Sequence, residues 1–356
     1  MKCGFVTQRS SYDAWTPELL GRIKSYGFGS ILIEHWMGRI QNQDGSYNEA
    51  KLANGLKLFK MVKAAGLEPV IDLRVHYYPD MRNYETGYTT WTDGNPQAEW
   101  IVLTDEGKEK FIDCWKKLIA NYKPSKISLW HFPGHNGGFA NARDAYMTSW
   151  GEEVVSRIRE FFKGEIIFTL PYQGSSESRG RKSYYLEIYD PFTNVENVTY
   201  GVGHMLDWDI VSNPSAEWNN DLLKLENDFA GIKKYHDLGE KVASIEFGGL
   251  EYNVGEKPLQ SRLDYLRAVS EKMKSYNTTY TYHCCRPQGS YAGRDNIIEN
   301  LTTKALQPDI LGVLRENIFE PSGAVEGDNR FLLPLFLLFM FFGIVLMFGS
   351  TSGRQS

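Results

Sequence analysis

Residues 241–252 read KVASIEFGGLEY, in which the apolar run 242–247 carries one acid, Glu246, near its end, with two glycines after Phe247. A lone carboxylate there either joins a salt bridge, with Arg74 for instance, or meets something beyond the run. The histidines repeat the habit. The chain has seven, and six of them (His35, His76, His131, His135, His204 and His283) fall at or just past the ends of short apolar runs; His236 sits in a helical pattern. Acids accompany them: Glu34 precedes His35, and Asp207 and Asp209 flank Trp208. Imidazoles and carboxylates at one level suit proton transfer and nucleophilic attack on a polar bond. They also suit a metal centre. The pattern lacks a His-x-His pair or an H-E-x-x-H helix, and the ligands would come singly from many runs, so no metal and no cofactor is expected. Aromatic residues crowd the same segments: Trp36, Tyr77, Tyr78, Trp130, Tyr172 and Trp208. Sugar rings offer apolar CH faces to aromatics and hydroxyls to His, Asn and acids. Candidate sugar contacts are therefore His35, Trp36, His76, Tyr77, Trp130, Asn136, Tyr172, His204, Trp208 and His283.

Such residues need a frame that brings run ends together. The β-rich runs are Cys3–Thr7, Ser30–Trp36, Glu68–Val75, Lys126–Phe132, Glu165–Leu170, Val198–His204, Val242–Phe247 and Thr279–Cys284. Amphipathic stretches with helix punctuation separate them. Thr16-Pro17-Glu18 reads as N-cap, Pro in the first turn and an acid near the positive helix end. Residues 48–66 and 104–122 follow the same logic, as do 209–238 and 259–276. Alternating strands and helices imply parallel strands with right-handed crossovers, and eight such units fit a closed (β/α)8 TIM barrel. An open doubly wound sheet is disfavoured, because no glycine-rich phosphate loop follows an early strand. In a barrel, catalytic groups sit at the C-terminal strand ends.

On these segments the chain resembles the large (β/α)8 glycoside hydrolase clan, nearest the cellulase-like family 5. Residues 66–79 (GLEPVIDLRVHYYP) resemble that family's strand-three segment, 111–134 its approach to strand four, and 197–205 (NVTYGVGHM) its strand-six segment with a substrate-contacting histidine, here His204. Residues 245–249 (IEFGG) resemble the nucleophile segment, which makes Glu246 the nucleophile by resemblance. One departure is chemical. The family's acid/base glutamate closes strand four, whereas residues 131–136 read HFPGHN and hold no carboxyl group. Strand eight also ends in Tyr282-His283, where the family usually shows tryptophan. Retaining hydrolysis uses two carboxyls about 5–5.5 Å apart, and inverting hydrolysis spaces them about 6.5–9.5 Å across a water. His131, His135 or Glu34 could fill the vacant role, as could Asp207. The expectation is a glycoside hydrolase acting on O-glycosidic bonds of a polysaccharide or glycan. A silent glycan-binding barrel and a His-ligated metal hydrolase are the alternatives.

The net charge of −5 argues against a nucleic-acid partner. Four scattered cysteines form no disulfide framework or zinc pattern. Residues 331–349 (FLLPLFLLFMFFGIVLMFG) carry no charge and are long enough, at about 1.5 Å per residue, to cross a bilayer core of about 30 Å. The expected organisation is a barrel over 1–319, a polar linker over 320–330, a transmembrane helix over 331–349 and a tail over 350–356. The bilayer is thus an expected partner beside the carbohydrate. Residues 1–7 show no leader pattern, while Asn197, Asn277 and Asn300 begin Asn-x-Thr tripeptides. An external, membrane-tethered barrel is favoured over a cytosolic tail-anchored one.

Overall fold

Each expected strand forms. They are β1 (Gly4–Thr7), β2 (Ser30–Trp36), β3 (Glu68–Arg74), β4 (Lys126–Trp130), β5 (Glu165–Thr169), β6 (Val198–Val202), β7 (Lys241–Phe247) and β8 (Thr279–His283). All neighbours pair in parallel, in chain order, and β1 pairs with both β2 and β8, which closes the ring. The computed structural model describes residues 2–7, 12, 15–41, 45–74, 105–130, 149–169, 183–203, 205–206, 210, 215–247, 259–283, 298–300, 305–306 and 308–318, with Trp36, Gly38, Arg39, Glu106, Gly107, Trp130, Glu246, His283 and residues 298–300 and 305–306 described through their backbone. The chain divides into two units, Met1–Pro321 and Ser322–Ser356, and the described residues belong to the first. Among the described residues no helix is long and apolar enough to cross a membrane. The expected membrane segment 331–349 and linker 320–330 lie outside them.

The helices around the ring are α1 (Pro17–Ser25), α2 (Met37–Ile40), α3 (Glu49–Ala64), α4 (Asp105–Tyr122), α5 (Gly151–Arg159), α6 (Tyr184–Ile188), α7 (Leu222–Asp228), α8 (Ala230–Asp237), α9 (Gln260–Ser275) and α10 (Pro308–Glu316). Thr16 caps α1, its hydroxyl accepting from Leu19 N at 3.4 Å, and Asn48 caps α3 through Lys51 N at 3.1 Å. The helical pattern over 209–238 is only partly realised. Residues 215–221 are not helical, and α7 begins at Leu222, where Asp221 accepts from Lys224 N at 2.9 Å. Asn220, at φ +59°, holds the chain in the left-handed region just before that cap.

Left-handed residues also turn the chain into strands, directly after a helix in each case except Asn197. Gly27, Gly66, Lys123, Asn197, Gly239 and Asn277 all have positive φ, between +49° and +96°, one to three residues before a strand. This is where glycine or asparagine ends a helix at least cost. It also gives the tripeptides at Asn197 and Asn277 a backbone reason, since each Asn makes the turn and Thr199 and Thr279 enter the strand.

Side chains alternate across the ring wall. Phe5, Ile31, Ile33, Ile71, Leu73, Ile127, Leu129, Ile166, Phe168, Tyr200, Val242, Phe247, Tyr280 and Tyr282 pack outward against the helices. Val6, Leu32, Val70, Ile167, Ala243 and Ile245 plug the lumen. Burying each large apolar side chain is worth about 1.5–3 kcal/mol. Below the plug, Lys126 Nζ lies 3.1 Å from both Glu68 and Glu165, and Thr199 donates to Glu165 at 2.6 Å. Beyond the ring, Ile298–Asn300 and Ala305–Leu306 form a short antiparallel ribbon.

Candidate active site

Above the apolar plug the lumen turns polar on one side. Glu34 on β2, Asp72 on β3 and Ser128 on β4 occupy one register row, and Arg74 lies in the next row, between positions 36 and 130. The parity of Leu32 and Val70, both in the plug, puts Glu34, Asp72 and Arg74 on the lumen face. Arg74 Nε donates to Asp72 Oδ2 at 2.6 Å, and its Nη1 lies 3.5 Å from Glu34 Oε2. The side chains are 4%, 0% and 1% exposed for Arg74, Asp72 and Glu34. Removing such charges from water costs several kcal/mol per ion, which close pairing offsets. The backbone beneath Glu34 is held from two sides: its N–H donates to Thr7 Oγ1 at 3.0 Å, and Tyr12 Oη donates to its carbonyl at 2.7 Å.

His35 does not join this group. One residue further along a strand is the opposite face, and its ring packs outward, 5.3 Å from Tyr122, with Nδ1 3.2 Å from Tyr12 Oη. It is 2% exposed, and burial pulls its pKa down to about 4, so the imidazole is neutral at neutral pH. The expectation of a sugar contact placed His35 in the mouth; the structure places it in the shell between the barrel wall and the helices.

Glu246 lies where β7 breaks its pairing with β8. Ser244 pairs with Tyr280 and Phe247 with Tyr282, so Ile245 and Glu246 together face the single residue Thr281. The Thr281 hydroxyl donates to Ile245 O at 2.5 Å across this irregularity. Ile245 belongs to the lumen plug and Phe247 to the outer shell, so the bulge inserts position 246 between an inward and an outward residue. Bulges of this kind concentrate at barrel rims beside active sites, where they re-aim a side chain.

Trp36, Trp130 and His283 close β2, β4 and β8. Positions 36 and 130 flank Arg74 in register, and position 283 pairs with Val6. His76, Tyr77, His131, His135, Asn136, Tyr172, His204 and Trp208 lie outside the described residues. Arg262 of α9, 0% exposed, donates to Ile210 O through Nε at 3.1 Å and Nη2 at 2.8 Å. Among the described residues no group of three or more His, Cys, Asp or Glu is arranged to hold a metal.

Asp72 and Ser128 were not singled out by their sequence pattern. The signal for Asp72 was present, because an acid in the middle of EPVIDLR interrupts a run that should be apolar on both faces of a parallel strand.

No family profile and no curated protein matches the chain. Solved structures do. The chain is similar to a family 5 xyloglucanase from Paenibacillus pabuli at TM-score 0.64 and 16% identity, over 89% of this chain and 98% of that one. It is similar to endoglucanase Cel5A from Thermotoga maritima at TM-score 0.64 and 16% identity, over 87% and 96%. A GH5-4 broad-specificity endoglucanase from Clostridium acetobutylicum matches at TM-score 0.65 and 14% identity, over 88% and 97%. The chain therefore resembles the family 5 cellulases and xyloglucanases in fold, a distant likeness carried by a closed eight-stranded parallel barrel.

Proposed function

We infer that the protein is a glycoside hydrolase that cuts O-glycosidic bonds within a hexose-based polysaccharide or glycan, with Glu246 as nucleophile. The observation that carries this is the position of Glu246: at the C-terminal end of β7, in a bulge, on the rim of a barrel whose fold matches that of glucan-cutting enzymes over nearly nine-tenths of the chain. C-terminal strand ends are where barrels of this class keep their chemistry. Related folds bind cellobiose, cellotetraose and mannotriose, which favours a glucan- or mannan-type chain as substrate. Trp36 and Trp130, at the tips of the two strands that flank β3, suit the apolar faces of such sugars. Glu34, His131 and His135 are the candidates for the acid/base role.

The absence of a carboxyl group in residues 131–136 favours a second reading, a barrel that binds glycans without cutting them. Release of nitrophenol from aryl β-cellobiosides and β-mannosides separates the two. Hydrolysis by the wild type that disappears in Glu246→Gln supports the hydrolase. Equal, background-level release by both proteins, with glycan binding retained, supports the silent barrel.

We further propose that residues 331–349 tether the barrel to a bilayer and that the barrel faces the cell exterior, on the strength of 19 consecutive uncharged residues. Membrane fractionation with protease protection of the intact chain tests both statements.

A further inference from the structure

We propose that Glu34 is the acid/base partner of Glu246, with Asp72 and Arg74 as its positioning residues; this rests on the hydrolase reading above. The need is chemical. A retaining enzyme requires one carboxylate to attack C1 and one carboxylic acid to protonate the departing oxygen. Among the described residues, the acids on the lumen face above the apolar plug are Glu34 and Asp72.

Three observations select Glu34. The first is topological. Around the closed ring, β2 is three strands from β7 through β8 and β1, just as β4 is three strands from β7 through β6 and β5. A carboxyl on β2 therefore approaches the centre of the lumen from the mirror side of the place where strand four lacks one. The second is the asymmetry of the pairing. Asp72 sits 2.6 Å from Arg74 Nε, while Glu34 sits 3.5 Å from Nη1. Two register-paired carboxyls share the field of this guanidinium, and Asp72 takes the larger part. In this assignment Asp72 holds the guanidinium and Glu34, the more distant of the two carboxyls, is the proton donor. The third is rigidity. Thr7 and Tyr12 pin the backbone of Glu34, as a group in proton transfer requires.

The reaction balances with these groups alone. A Glu246 carboxylate oxygen bonds to C1 as the C1–O bond to the leaving group breaks, and the Glu34 proton passes to that oxygen, which departs as an alcohol. Water then attacks C1, the bond to Glu246 breaks, and Glu34 takes up the water proton. Arg74, close to both acids, keeps the Glu34 carboxylate compatible with a buried site after its proton has left.

The test compares phenyl and 2,4-dinitrophenyl β-cellobioside, which differ in how much protonation their leaving groups need. Glu34→Gln is expected to lose roughly 10²–10⁴-fold on the phenyl glycoside and less than about tenfold in aglycone release from the dinitrophenyl one, because an acidic leaving group needs little help. The alkaline limb of its pH profile should vanish, and added azide should yield the glycosyl azide. Asp72→Asn should displace that limb while retaining leaving-group discrimination close to wild type. A loss that is uniform across both substrates, or no loss, overturns the assignment. Where Glu34→Gln does not fold, Glu34→Asp keeps the carboxyl but withdraws it by one methylene; preferential loss on the phenyl glycoside supports the role, and uniform loss overturns it. Turnover that depends on Glu246 but not selectively on Glu34 refutes this assignment alone. No turnover by the wild type on either glycoside refutes the hydrolase reading and this assignment with it.

Discussion

Among the described side chains, each end of the barrel lumen has a triad of two acids and one cation, and the two triads are built differently. At the N-terminal end Lys126 stands 3.1 Å from both Glu68 and Glu165, with side chains 18%, 25% and 11% exposed. Burial alone would raise the Glu165 carboxyl, yet the charges around it, Lys126 among them, and the Thr199 hydroxyl bring it to about 2. At the C-terminal end Arg74 divides unequally, 2.6 Å to Asp72 and 3.5 Å to Glu34, with all three at most 4% exposed. An even, partly wet triad ties three strand starts together. An uneven, dry one is what the proposed division of roles between Glu34 and Asp72 rests on. That is the expected division of labour between the stability face and the chemical face of a (β/α)8 barrel.

The largest effect on folding should come from the dry end. Asp72→Asn takes the charge from the partner nearest Arg74, and breaking a buried pair costs about 3–5 kcal/mol. Urea denaturation checks it; a change under about 1 kcal/mol, typical of an exposed pair, would erase the contrast.

His35 supplies the next largest effect, in the shell outside both triads. Its folded pKa of about 4 lies below the 6.5 of the unfolded chain. The unfolded state therefore binds the extra proton between these values, and stability falls as pH drops from 6.5 towards 4, by about 3 kcal/mol in all. Above 6.5 this group contributes no slope. Stability of the wild type and of His35→Gln, measured at pH 7.5, 5.5 and 4.5, should diverge only at the two acidic points.

At the wet end, Lys126→Met should cost about 1–2 kcal/mol, since the two acids it leaves can reach water. Catalysis should survive unchanged, and a fall in kcat at constant folded fraction would show that the two ends are coupled. The smallest effect is Thr199→Val, which deletes the 2.6 Å hydrogen bond to Glu165 and should cost about 1 kcal/mol in thermal melts.

Much of the frame was legible because turn chemistry is local. Thr16-Pro17 and Asn48 announce α1 and α3, and Gly27, Gly66 and Gly239 stand at left-handed positions that few other residues tolerate. Helix α5 carried no such mark: Trp150 precedes it without a side-chain cap. The site was legible in level but not in face. In SILIEHW the run Ile31-Leu32-Ile33 is buried on both sides of the wall, so no alternation tells which of Glu34 and His35 enters the lumen. The bulge at Ile245–Glu246 was hidden for a similar reason, because an extra residue in a strand leaves no compositional trace when its neighbours are all apolar.

The chemical role of the β7 acid can be read directly by trapping. The full chain is incubated with 2,4-dinitrophenyl 2-deoxy-2-fluoro-β-cellobioside, digested, and its peptides are weighed. A fluoro-sugar adduct on the peptide holding residues 241–252, mapped by fragmentation to Glu246 and absent from Glu246→Gln, is the expected result. An adduct on another residue, or none from a protein that hydrolyses the parent glycoside, would contradict Glu246 as the nucleophile.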